Sequence, residues 1–79
     1  MTPDQTRALI GRLLADIAPD ADVDDVAATD DLQETLDLDS MDRMALVVAV
    51  SEEIGRDIPD RDAGRLHSLD DWSAYLAAD

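Results

Sequence analysis

The sequence predicts an all-α fold: a bundle of four helices, with a long first loop, a short third helix and no strands. Three observations lead there. Apolar residues recur at helical spacing in residues 9–17, 44–54 and 69–76. Start signals precede each stretch (Thr2-Pro3, Asp39-Ser40, Ser68), and Pro19 and Gly55 stop the first two. Hydrophobic residues make up 46 % of the 79, enough at this spacing to bury a small core and argue against disorder.

In the first helix Thr2 caps, Pro3 suits the first position and Gln5 completes a capping box. Leu9, Ile10, Leu13, Leu14 and Ile17 form one stripe, which leaves Arg7, Arg12 and Asp16 outside it. Gly11 is a mild local weakness. The helix ends near Ala18, before Pro19. Residues 19–39 are rich in Asp, but Val23, Val26, Leu32, Leu36 and Leu38 recur through them, so the loop is expected to lie across the helices. A short helical turn is expected at residues 31–34.

The central helix is expected over 40–54 with Gly55 as its stop. Its apolar run from Met44 to Val50 exceeds what a one-sided surface helix needs, so it is buried on several sides. Leu46, Val50 and Ile54 make the inward stripe, extended by Val47. Met41, Met44 and Val48 form a second stripe with two readings, core beneath the long loop or a contact surface for partners. Pro59 to Arg65 allows a short third helix with Ala63 and Leu66 inward. Ser68 and Asp71 start a last helix that faces Leu69, Trp72, Tyr75 and Leu76 inward and ends near Ala78.

Composition excludes several functions. Twenty acidic residues against six arginines give a net charge of −14, which repels nucleic acid and anionic membrane surfaces. The favoured partners are proteins with basic patches. There is no Cys, and so no disulfide or thiolate metal site. Neither a signal peptide nor a membrane span is visible, so a cytoplasmic, monomeric protein of one domain, residues 1–79, without stable membrane association is expected. Asp20, Asp22, Asp24 and Asp31 imitate a calcium loop, but Asp25 stands at the obligatory glycine and Asp31 at the final Glu. Weak, diffuse attraction for divalent cations is the expectation. His67, the one histidine, falls in a turn far from Ser40 in sequence, so no triad is expected and no catalysis.

The tip of the central helix carries the chemistry. Free N–H groups and the positive end of the dipole favour an anion there, and a phosphodiester on Ser40 would sit well. Taken alone, Asp39-Ser40 reads as a cap. Leu36-x-Leu38-Asp39-Ser40-Met41, then this helix, then Asp57-Ile58-Pro59, with Leu66, Leu69, Tyr75 and Leu76 beyond, resembles the acyl carrier proteins from about Leu32 to Leu76.

The resemblance implies a four-helix carrier bundle that is not an enzyme. A separate phosphopantetheinyl transferase would move 4'-phosphopantetheine from coenzyme A onto Ser40, flanked by Asp39 and Met41. Acyl groups would then ride as thioesters to acyl-loading and synthase enzymes of fatty-acid, polyketide or related pathways. Docking would fall to Asp42, Arg43, Met44, Glu52 and Glu53, and an acyl cavity to Leu46, Val50, Ala63, Leu66, Trp72 and Leu76. Trp72 stands where a small residue is usual, which implies short or unsequestered chains. Ala45, Ser51 and Arg43 thin the acidic pattern, and Asp37 replaces a common glycine, which together suggest a specialised pathway. The alternatives are an acidic helical adaptor without cofactor and a weak calcium module.

Overall fold

Helices α1 (Pro3–Ile17), α2 (Leu32–Thr35), α3 (Ser40–Ile54), α4 (Asp60–Ala63) and α5 (Leu69–Ala77) succeed one another along the chain, with one 3-10 turn at Val23–Asp25. The structure, a computed structural model, describes residues 1–77. The four expected helices are present, and the turn expected at 31–34 is itself a one-turn helix capped by Asp31. The expected last-helix end near Ala78 lies outside the described residues.

Each long helix starts on a reciprocal pair of side-chain bonds. The Thr2 hydroxyl accepts from the Gln5 N–H, and the Gln5 side chain accepts from the Thr2 N–H. Asp39 and Asp42 repeat this at α3. At α5 the Ser68 hydroxyl accepts from the Asp71 N–H, and the Asp71 carboxylate accepts from the His67 and Ser68 N–H groups. Those donors, His67 foremost, hold the Asp71 carboxyl below its ordinary range against a smaller opposing effect of burial.

The apolar stripes meet where α1 packs on α3 and α5. Ile10 and Leu14 of α1, Leu46 and Val50 of α3, and Trp72 and Leu76 of α5 are all buried there. Ala63 and Leu66 close the α4 side as expected. Tyr75 is half-buried, and its hydroxyl donates to the Asp62 carboxylate at 2.8 Å, which raises the phenol pKa and ties α5 to α4.

The long connection does lie across the helices. Val26, Leu32 and Leu38 are buried, while Val23 and Leu36 are half-buried against the core. Backbone ties hold it: Leu32 N–H to His67 C=O, and Asp70 N–H to Ala28 C=O. Arg7, expected outside the stripe, reaches over to donate to the Val23 and Val26 carbonyls. Gly11 is more than a weak point. A Cβ there would stand 2.8 Å from the Val23 side chain, so the missing side chain lets the 3-10 turn lie against α1.

Just before α3, Asp37 adopts φ 54°, in the left-handed region that favours glycine. Its N–H bonds the Glu34 carbonyl and the Leu38 N–H bonds the Gln33 carbonyl, a Schellman closure of α2. Asp37→Gly is therefore expected to stabilise the fold by about 1 kcal/mol. A thermal melt should show a rise of several degrees. An unchanged or lower midpoint would mean that the Asp37 carboxylate supplies something in return.

Two carboxylates of the near-match to a calcium loop serve local turns. Asp22 accepts from the Asp24 N–H, and Asp31 accepts from the Glu34 N–H and lies 3.6 Å from the His67 ring. Among the described residues no three acidic or histidine side chains gather as a metal site. With a net charge of −14, general repulsion remains. Added sodium or magnesium salt is expected to raise the melting temperature by general screening, without a saturable magnesium site. A saturable, magnesium-specific rise in calorimetry would contradict this.

Candidate functional site: the N-terminal tip of helix α3

At the tip of α3 the capping task belongs to Asp39, not Ser40. The Asp39 carboxylate accepts from the Asp42 N–H at 2.7 Å, and the Asp39 carbonyl accepts from the Arg43 N–H. Ser40 is the first helical residue and is exposed. Its hydroxyl is accordingly not needed to close the helix. The N–H groups of Ser40 and Met41 lie in the first turn, where no intrahelical acceptor exists. They and the helix dipole suit a phosphate on the Ser40 oxygen, against which Asp39 and Asp42 add negative charge.

The second stripe is surface. Met41 is 79 % exposed, Met44 55 % and Val48 49 %, so the reading of these residues as core beneath the loop fails. The loop passes over the other side, anchored through Leu32 and Leu38. Met44 and Val48, with Val47, Ile58 and Pro59, line a groove of about 590 Å³ between α3 and the segment leading into α4. Glu52, Asp57 and Asp60 rim it.

The charges expected to serve docking divide. Glu52 is exposed at the groove. Glu53 is exposed but paired with Arg12 of α1. Asp42 is half-buried and engaged with Asp39. Arg43 does not stand free beside Ser40. It is half-buried, and its guanidinium donates to the carbonyls of Ala63 at 2.6 Å and Leu66 at 3.3 Å, which caps the end of α4. Arg43→Met would leave both acceptors without that donor, at a cost of about 1.5–3 kcal/mol. Amides of residues 60–66 should then exchange faster with solvent than in the wild type. Equal protection would mean that the two bonds contribute nothing net.

The six residues expected to line an acyl cavity all belong to the core cluster, and Leu66 also lines a surface cleft of about 340 Å³ beside Tyr75. The crevice beside Leu46, Leu66 and Trp72 measures about 10 Å³. Trp72, 1 % exposed, takes up the space.

A family model described as a phosphopantetheine attachment site matches residues 7–76. The chain belongs to the acyl carrier protein family. The chain is 32 % identical over 73 residues to the mitochondrial acyl carrier protein of Neurospora crassa, covering 92 % of this chain and 54 % of that protein. It is 39 % identical over 49 residues to the mitochondrial acyl carrier protein 3 of Arabidopsis thaliana, covering 62 % and 37 %. Against the acyl carrier protein of Bdellovibrio bacteriovorus it is 40 % identical over 55 residues, 70 % of each chain. The chain thus spans about half or less of the two mitochondrial relatives' lengths. Among the described residues no helix is long and apolar enough to cross a membrane.

Proposed function

We propose that the carrier holds acyl groups as thioesters on a 4'-phosphopantetheine arm joined to the Ser40 oxygen, and that a separate transferase installs the arm. The supporting observation is the exposed hydroxyl at the first position of α3, relieved of capping by Asp39. In the installing step the Ser40 oxygen attacks the phosphorus that bears pantetheine in coenzyme A. An O–P bond forms, the pyrophosphate P–O bond breaks, and adenosine 3',5'-bisphosphate leaves. The hydroxyl proton passes to a base on the transferase. The arm supplies the thiol that a chain without Cys lacks.

Partners would be the transferase and acyl-loading or synthase enzymes with basic patches, attracted by the net charge. Their landing surface would be Met41, Met44 and Val48 with Glu52 beside them, apolar side chains in an acidic frame. Pairing of Glu53 with Arg12 weakens that frame, in keeping with a dedicated pathway.

The test is intact mass after incubation with coenzyme A and a broad-specificity phosphopantetheinyl transferase. A gain of one phosphopantetheinyl group is expected. An unchanged mass would remove the carrier reading for this chain and leave the acidic adaptor.

A further inference from the structure

We infer, on the reading that Ser40 bears the arm, that Arg43 holds the arm's phosphodiester with the edge of its guanidinium that α4 leaves open. Arg43 thereby fixes the root of the arm. Two observations carry this. The first is an unspent donor edge. Both bonds from Arg43 to α4, to the Ala63 and Leu66 carbonyls, leave from the same nitrogen, Nη2. A guanidinium has five N–H donors in a planar fork, so Nε and Nη1 keep theirs. The second is an unmatched charge. The chain has twenty acidic residues, yet among the described residues no carboxylate forms an ion pair with Arg43. Two neutral carbonyls occupy its hydrogens without cancelling its charge, and a half-buried cation gains from an anion beside it.

Position supplies the anion. Ser40 and Arg43 are three apart on α3, a spacing at which helix side chains are neighbours, about 5–6 Å between Cβ atoms. Arg43 also faces a hollow of about 440 Å³ lined by Asp37 and Leu38, the residues that lead into Asp39-Ser40. Among the described residues no other arginine is so placed. Arg7 is bonded to Val23 and Val26, Arg12 pairs with Glu53 at the far end of α3, and Arg56, Arg61 and Arg65 lie beyond that helix. The diester would stand next to the carboxylates of Asp39 and Asp42, which repel it. Covalent attachment keeps it there without any affinity of its own, and turning toward Arg43 is an intramolecular step. A phosphate oxygen that accepts from a guanidinium makes a charge-assisted bond, about twice as strong as a neutral one. The open N–H groups of the first turn serve the other oxygen. Arg43 then links the root of the arm to the end of α4, while the pantetheine beyond the diester stays free to swing.

The experiment attaches the arm to nitrogen-15-labelled protein with coenzyme A and a broad-specificity transferase, and intact mass shows the gain before any spectrum is recorded. Absence of that gain would count against the carrier reading itself, whereas the spectra concern Arg43 alone. On attachment the Arg43 Nε–H resonance is expected to shift and its exchange with water to slow about tenfold, with the other five arginines unmoved. Arg43→Gln keeps a neutral donor for the α4 carbonyls and removes the charge. Its phosphorus resonance should move from the wild-type position toward that of a diester free in solution and relax as a more mobile group. An Arg43 Nε–H that neither shifts nor slows on attachment would overturn the inference, and that comparison uses the wild type only. A phosphorus resonance at one position in wild type and Arg43→Gln would overturn it too.

Discussion

Ser40→Ala is expected to accept no phosphopantetheine at all, while folding and melting as the wild type does. Both halves rest on one geometric fact. The N-cap of α3 is Asp39, so the Ser40 hydroxyl closes nothing, and Ala at the first helical position costs a few tenths of a kcal/mol at most. Asp39→Ala should behave in the opposite way. It removes the acceptor of the Asp42 N–H and should cost about 1 kcal/mol, yet leave an oxygen to modify. Nor can another serine substitute. Ser51 donates to the Arg56 carbonyl, Ser68 is buried in the start of α5, and Ser73 is half-buried on α5. Ser40 alone among the four serines is exposed at a helix tip. Intact mass and a melting curve on both variants decide the matter. A mass gain in Ser40→Ala would place the arm elsewhere. A large loss of stability there would mean that the hydroxyl is structural.

The local parts of this molecule are legible in the sequence, and its distant contacts are not. Thr2 with Gln5, and Ser68 with Asp71, are bonds between residues three apart, and a start signal encodes them directly. The stripe from Leu9 to Ile17 finds its partners because period alone fixes its face. At α3 the sequence marks two good caps side by side, and only the backbone shows that Asp39 takes the task. Arg43 is different. Its partners lie 20 and 23 residues on, and nothing near it in sequence announces a carbonyl waiting at the end of α4. Arg7 reaching Val23 and Gly11 yielding to Val23 are of the same kind. Met41, Met44 and Val48 stay ambiguous because their exposure depends on which side the long loop crosses, and a helix apolar nearly all round does not say.

Trp72→Ala is expected to be the most destabilising single change in the fold. The indole is 1 % exposed, among the most deeply buried side chains, and lies at the junction of α3, α5 and the loop. Large aromatic-to-Ala changes in cores cost about 3–5 kcal/mol, the lost transfer energy plus that of the hole left behind. A domain of this size has about 4–12 kcal/mol in all. The midpoint of the melt should therefore fall by roughly 15 °C or more. Trp72→Phe keeps most of the packing and should lose much less. The Ala variant has a second consequence. The space the indole filled borders Leu46, Leu66 and the crevice beside Arg43, where Gln33 and His67 also stand. A long acyl group on Ser40 could then occupy it, and a ligand that binds only the folded state raises the midpoint. Dodecanoyl loading should restore several degrees in Trp72→Ala and almost none in the wild type, a difference that calorimetry on the two loaded proteins would show. Equal gains in both would mean that the indole does not bar the interior. A midpoint close to wild type in unloaded Trp72→Ala would mean that the side chain bears little of the packing at the junction of the helices.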